Sequence, residues 1–597
     1  MKKKILSVLL CIVLVTSMLT GCKKANDSEK SSAPGAAQAS GGNSSNAAAT
    51  GAVKYPKLIT VDVFDGLANY QGIQSGWFAK IVKDKFNMEL NLIAPNVAGG
   101  GDTLYQTRSA AGNLGDLIIY GADGGRMQDM VTAGLLTDIK DLIADKKNLK
   151  KYQSGIDSLN SLVEGDGVYG IPSAVSEQPA TNPSEGLDPT FGPYIRWDAY
   201  KAVGYPQMKT IEDMLPVLKS MCDAVPTSDT GKKTYAFSLF KDWDGNMMVL
   251  AKQPTCFYGY DEMGFVLAKA DGSDYQSIID SDSMYVRMLK LYYEANKMGI
   301  MDPESTSQNY DTLYTKYQDG QILFSPWPWL GQAAFNTPKN KAAGKGFMLA
   351  SIDDMKDLSV GCTPNGTRAM IAIGSGAKDK ERLADFIDWL YSPEGIKSTS
   401  AQGSASSGPE GLTWEMKDGK PELTYFGYEA FYGGGNTQVP EEWGGGIWKD
   451  GVSALNFTTV IPSDVNPETG FPYNYTLWDS VIKRNTTPLD EDWQAKMGAK
   501  TTIEYLQKNN QLIVAPGASY ITPTEDSEIT TLRGQCRSII IENSWKMVFA
   551  ENDTEFNSLL KEMQDTVIGL GYDKVLAVDK KNAKDQNDAR VAAAKAK

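Results

Sequence analysis

Two tryptophans, Trp327 and Trp329, stand two residues apart in Ser325-Pro326-Trp327-Pro328-Trp329. An indole face can stack on the C–H face of a sugar ring or pack against another apolar surface. The segment follows the apolar run Ile322, Leu323, Phe324, and its prolines stiffen it, so both rings are expected on a non-helical loop. They either line a ligand or pack against another part of the chain. Asp123 and Arg126, in Asp123-Gly-Gly-Arg126, follow an apolar strand ending at Tyr120. A carboxylate and a guanidinium at a strand's C-terminal end can hold vicinal hydroxyls in pairs, or they form a turn with an Asp cap and a solvated Arg. Asn69 and Tyr70 end the first strand–loop and are either hydroxyl-binding groups or a simple polar loop. Glu177, just past Tyr169-Gly-Ile-Pro172, is a hydroxyl acceptor or a plain hinge carboxylate. Arg196, on a strand with Tyr194, faces a cleft or forms an intralobe salt bridge. Trp443 and Trp448 flank Gly444-Gly-Gly446, which suits a stacking wall on a glycine loop. Trp77 and Trp389 fall on apolar helix faces and read as core.

The composition removes several other chemistries. The chain has 597 residues and no histidine, so Ser-His-Asp and Cys-His sites and His-ligated zinc are excluded. Hydrolysis of a glycosidic bond by two carboxylates about 5–9 Å apart needs no histidine. Glu441 and Glu442 are adjacent in sequence, which does not set them across a bond, and no motif fixes an acid and a nucleophile. No GxxxxGK[ST] occurs, so ATP hydrolysis would belong to a partner. Asp242-Trp-Asp-Gly-Asn246 and Asp280-Ser-Asp282 resemble calcium loops, but neither has the glutamate an EF-hand needs at its twelfth position. The loops leave a single calcium open, while no other metal site and no cofactor are expected. A net charge of −14 argues against a nucleic-acid surface. Of six cysteines, Cys222, Cys256, Cys362 and Cys536 lie beyond the first 22 residues, none in CxxC spacing; their pairing is open, and buried free thiols are as consistent as disulfides.

The elements that position these residues begin after an address. Lys2–Lys4 precede the apolar run Ile5–Leu19, too short to span a bilayer and suited to a signal peptide over residues 1–21. Leu19-Thr-Gly-Cys22 resembles the bacterial lipobox, with Cys22 as the lipidated residue. Cleavage there would remove the three lysines, taking the charge from −14 to about −17. Residues 22–53 are rich in Ala, Ser, Gly and Asn and read as a flexible tether with a reach of roughly 30 Å. Alternating Ile59, Val61, Val63, then Trp77, Phe78, Ile81, Val82 and Phe86 at helical spacing, then Met88, Leu90, Leu92, spell strand, helix, strand. That is an α/β unit with a parallel sheet. Helices are also expected around Tyr285–Tyr292, stopped by Gly299, and around Leu383–Tyr391, while the tail past about 580 is expected to be a fraying helix or disordered.

Several phrases in order resemble the extracellular solute-binding proteins of bacterial ABC importers, family 1 (carbohydrate type), in its long lipoprotein branch. They are Phe64-Asp-Gly-Leu-Ala-Asn-Tyr-Gln71, Gly115-Asp-Leu-Ile-Ile119, Ala133-Gly-Leu-Leu-Thr-Asp138, Gly167-Val-Tyr-Gly-Ile-Pro172, Tyr194-Ile-Arg-Trp-Asp198, Phe324-Ser-Pro-Trp-Pro-Trp329 and Tyr391-Ser-Pro-Glu-Gly395. The resemblance covers roughly residues 55–400 and implies a two-lobed periplasmic-binding-protein type II fold. Each lobe would be α/β, a mostly parallel sheet flanked by helices, closing over ligand by a hinge. It also implies that the tryptophan after Ser-Pro lines the cleft. Lobe 1 is expected to comprise 54–176 and 370–440, and lobe 2 177–369 and 441–580, with 581–597 a charged tail. The function implied is a monomeric, non-catalytic receptor on the outer face of the cell membrane. It would deliver an oligosaccharide to importer permeases and their ATPase. A peptide receptor of the same fold and a surface glycoside hydrolase are the alternatives.

Overall fold

The computed structural model describes residues 54–595, apart from 96, 98–100, 124, 400–405, 434, 519, 521 and 524. The chain divides into Met1–Val53 and a compact unit Lys54–Lys597. The expected signal peptide, Cys22 and tether belong to the first and lie outside the described residues. Among the described residues no helix is long and apolar enough to cross a membrane.

The compact unit is built on two large cores. In the first, Ile59–Asp65 pairs in parallel with Met88–Ile93 on one side and Leu117–Gly121 on the other. Ala369–Ile373 joins Leu117–Gly121 in antiparallel sense, and Ile171–Pro172 closes that edge. The alternation of Met88, Leu90 and Leu92 does what period two requires, burying those three side chains. Helix Gly76–Phe86 covers the sheet with Trp77, Phe78, Val82 and Phe86 and ends on Asn87 in the left-handed region. In the second core, helix Met284–Lys297 buries one broad apolar face, is capped by the Ser283 side chain, and stops at Gly299 with φ +70°.

The second core's three-stranded sheet is antiparallel rather than mostly parallel. Tyr194–Arg196 lies between Phe324–Ser325 and Phe347–Leu349 and is antiparallel to both. Helix Pro328–Phe335 carries the chain over between those two outer strands, so they share a direction and the inserted strand opposes it. Parallel pairing here is confined to the two-stranded sheet of Asp357–Val360 with Leu512–Ala515 and to single bridges such as Tyr235–Ile322.

The chain passes between the cores three times, because Val175, Met370 and Tyr473 belong to the first and Tyr194, Met355 and Leu489 to the second. The last passage follows Tyr473, not residue 440. Trp448, Leu455, Phe457 and Val460 are buried in the first core. The glycine-rich runs around them hid a set of large apolar side chains that only a core can keep from water. Passing strands are clipped together by a Val175–Val460 bridge and a Pro183–Gly361 bridge. A Cβ on Gly361 would lie 2.1 Å from the Ala180 carbonyl oxygen, so the backbones can approach only through glycine.

The tail is the helical one of the two expected alternatives, but it is packed on the body of the protein. Tyr572–Lys595 is one helix, and Tyr572, Val575, Asp579, Asn582, Ala583 and Arg590 are buried along it. Arg590 pairs with Asp261 at 2.9 Å, on the three-stranded sheet Tyr260–Ser277. A stripe of small and apolar residues within the Lys- and Asp-rich sequence makes this packing. Cys222, Cys256, Cys362 and Cys536 are all free thiols.

Candidate ligand-binding site

Each lobe presents an aromatic cluster at the sheet end nearest the passages. In the first, Leu117–Gly121 ends at Tyr120, whose ring stacks on Tyr105 at 5.0 Å and 10° and lies 5.7 Å from Phe64. The Arg126 guanidinium covers this pair, 4.9 Å from the Tyr120 ring and 5.4 Å from Tyr105. Asp123 is exposed, and its carbonyl accepts the Arg126 N–H at 3.2 Å to open helix Arg126–Thr132. Arg368, at the start of the antiparallel strand, lies beside them: its carbonyl accepts the Ala122 N–H at 2.8 Å. Burial pulls the Arg368 guanidinium below its usual pKa, and the Asp123 carboxylate opposes that pull.

In the second lobe, Ser325 pairs with Tyr194 at the strand end where the chain enters from the first passage. The residues following Ser325 therefore emerge on the passage side. Trp327 and Trp329 stack at 4.6 Å and 26°. Trp243 stacks on Tyr310 at 4.6 Å and 29° and stands 5.8 Å from Trp329. Trp329 and Trp243 are 42% and 43% exposed, whereas Trp327 is 3% exposed and directs its indole N–H to Gln253 at 3.3 Å. Trp327 is thus the support and the other two are the open faces. Trp329 does not lie on a non-helical loop. Trp327 is the N-cap and Pro328 the first residue of helix Pro328–Phe335, since proline's fixed φ starts a helix as readily as it breaks one.

The passage residues are held by acids. Ser176 Oγ and the Glu177 N–H both donate to Asp464 at 2.7 Å, and burial pushes the Asp464 carboxyl up to about 6. Glu177 itself is exposed in this first passage. Asn69 is exposed, and Tyr70 is exposed with its hydroxyl donating to the Ile73 carbonyl at 2.8 Å. Both follow Asp65, which ends the first strand and organises the loop. Asp65 Oδ1 accepts the N–H groups of Leu67 and Ala68 at 2.8 and 3.0 Å, and complete burial pushes its carboxyl up to about 8.

That shift has a testable sign. The unfolded carboxyl ionises near 3.8, while the folded one keeps its proton to about 8. Its contribution to stability is full below the lower value and is lost as pH rises through the upper one. Denaturation midpoints should therefore fall between pH 5 and pH 8, by on the order of 1 kcal/mol per pH unit from this group. Asp65→Asn, which keeps the accepting oxygen, should flatten that slope; an unchanged slope in urea titrations would refute the assignment.

Three sequence candidates lie elsewhere. Arg196 is buried within the second lobe, bonded to Asp198 at 2.7 and 2.9 Å and lying 3.9 Å over the Phe335 ring. It is the intralobe salt bridge, because it sits at the strand end opposite Tyr194. Trp448 is 4% exposed and stacks on Trp77 at 4.7 Å and 6°, so it is core and not a cleft wall. Trp443 packs on the first core beside the C-terminal half of helix Gly76–Phe86, in a separate pocket. In the first calcium-like loop the carboxylates serve the protein: Asp242 accepts the Tyr310 N–H at 2.9 Å, and Asp244 accepts the Val249 N–H and Trp545 indole N–H at 2.9 and 2.7 Å. Among the described residues no three acidic or thiol groups are placed to hold a metal ion.

Sequence reasoning missed Trp243, Tyr310, Tyr105, Tyr120 and Arg368. Trp243 had a legible signal, a large aromatic inside a polar Asp-Trp-Asp-Gly-Asn turn with nothing apolar beside it.

The family model for bacterial extracellular solute-binding proteins matches residues 72–397. No match was found among curated protein sequences. Among solved structures, the chain is similar to an S. pneumoniae ABC-transporter substrate-binding protein, FusA, in complex with kestose. The identity is 15%, the TM-score 0.52, and the match covers 88% of this chain and 99% of that one. It is also similar to an HMO-binding solute-binding protein from Bifidobacterium longum infantis, at 15% identity and TM-score 0.56, covering 88% and 98%. A third, the N-glycan transport solute-binding protein NgtS from Streptococcus pneumoniae, matches at 13% and 0.51, covering 89% and 99%. At these identities the likeness establishes the two-lobed fold.

Proposed function

The chain belongs to the bacterial extracellular solute-binding protein family, and from that premise we propose that it captures an oligosaccharide between its lobes and delivers it to an ABC importer. The observation that carries this reading is the pair of open indole faces, Trp243 and Trp329, backed by Trp327 and Tyr310. Stacked rings with exposed faces take up the C–H side of a sugar. The opposite wall supplies what the hydroxyl rim needs, a carboxylate on Asp123 and a guanidinium on Arg126. Similar structures bound to kestose, or described as binding HMO or transporting N-glycans, support the same ligand class. Family and neighbours are binding proteins, which supports a receptor without a catalytic step. In this reading Cys22 carries the lipid, residues 22–53 tether the receptor to the membrane, and importer permeases receive the ligand from a monomer. In the same reading the exposed Asn69, Tyr70 and Glu177 contact the outer rings of a longer ligand.

Native mass spectrometry of freshly purified chain, followed by denaturation and analysis of what is released, tests the proposal. A hexose or pentose ladder is the expected result. Release of peptides, with no binding on a broad glycan panel, would overturn it in favour of a peptide receptor.

A further inference from the structure

We propose that the first lobe carries a second binding site, for a single neutral sugar ring, on its surface beside helix Gly76–Phe86. A pocket of about 470 Å³ opens there, walled by Trp443, Lys397, Glu410, Glu468, Glu394 and Asp84 among others. None of its lining residues belongs to either aromatic cluster of the cleft.

The floor of the pocket is unusual. The Lys397 side chain is 7% exposed, yet among the described residues its ammonium donates no hydrogen bond. Its nearest carboxylate oxygen, on Glu410, is 3.8 Å away, and the Trp414 ring lies 4.6 Å beneath it. Burial pulls its pKa below the ordinary value, as a desolvated cation requires. The ammonium lines the pocket and is ion-paired only loosely, so a ligand oxygen entering there can take its hydrogen bonds. This ammonium supplies three donors at the bottom of an open pocket.

The walls define what enters. Trp443 is half-buried, its back on the first core and its 3-10 turn closed by Gly444 at φ +105°. It therefore offers a fixed aromatic face. Glu410 and Glu468 accept no hydrogen bond among the described residues, whereas Glu394 is engaged by Lys85 at 2.8 Å and Asp84 by Lys80 at 2.5 Å. Glu468, and Glu410 beside the Lys397 ammonium at 3.8 Å, can accept two ring hydroxyls while Lys397 donates to a third oxygen. With four carboxylates against Lys85 and Lys397, the lining repels anions. An aromatic plate, two acceptors and one donor match the faces of a neutral pyranose or furanose.

The test uses the full chain with indole-15N tryptophan, titrated with D-glucose, D-galactose, D-mannose and D-fructose at millimolar concentrations. The Trp443 resonance, assigned through Trp443→Phe, should shift saturably with at least one sugar. The same shift should persist in Trp243→Ala/Trp329→Ala, which removes the cleft's open faces, so failure of this site and failure of the cleft reading are distinguishable. Lys397→Met should weaken the response at least tenfold without altering the other indole resonances. D-glucuronate should give no shift. Absence of a saturable Trp443 response to all four sugars, an equal response in Lys397→Met, or equal binding of glucuronate would each overturn the proposal.

Discussion

Replacing Trp243 or Trp329 by alanine is expected to raise the dissociation constant for the captured oligosaccharide about thirtyfold or more, while leaving the melting temperature nearly unchanged. Trp243 and Trp329 are 43% and 42% exposed, so the folded state loses less packing when they go than it would for a fully buried ring. A sugar, by contrast, would meet these faces at the centre of its contact surface. Truncating a central aromatic anchor costs about 2 kcal/mol or more, which is roughly thirtyfold in affinity. Trp327→Ala should act differently. It sits under Trp329 with 3% of its surface exposed, so its loss lowers stability as well as affinity. Calorimetric titration with the released ligand, alongside thermal melts of the three variants, separates the roles. If Trp243→Ala and Trp329→Ala both bind as tightly as the parent chain, the shelf does not contact ligand.

The opposite pattern is expected at Trp448. Trp448→Ala should lower stability by about 3–5 kcal/mol. Its ring is stacked on Trp77 and edged by Phe426 and Phe431 at 5.8 and 5.6 Å. Its backbone carbonyl also accepts the Trp77 indole N–H at 3.3 Å. The cavity left behind would be lined by three aromatic rings that cannot all collapse into it. Oligosaccharide affinity, measured where the variant is still folded, should change less than threefold. A variant of parental stability but much weaker binding would return Trp448 to the binding wall.

These two residues show where sequence reading succeeds and where it stops. Helix Gly76–Phe86 and strand Met88–Ile93 were legible because their burial is a local periodicity, 3.6 or 2 residues long. The tryptophans of residues 441–448 were not. Glycine spacing says that the backbone is irregular, but not which partner an aromatic ring will find. Trp448 meets Trp77 across 371 positions, and no local pattern carries that information. Arg196 was undecided for a related reason. On a strand, which end faces the passage depends on the direction of its neighbours, and the antiparallel insertion was not visible before the pairing was. Trp243 was read for its flanking carboxylates, whereas those turned out to be occupied by backbone and indole N–H groups, leaving the ring as the exposed group.

The second core also sets a schedule for the growing chain. Its buried residues run from Tyr194 to Val575, and helix Tyr572–Lys595 seals the sheet Tyr260–Ser277 through Arg590 and Asp261. Synthesis proceeds at about 5–20 residues per second, so some 20–75 seconds separate the first of these residues from the last. Throughout that interval the lobe lacks the helices that close it, and its apolar surface stays open to whatever escorts nascent chains. A core that cannot be completed until its last helix arrives delays folding by its own topology.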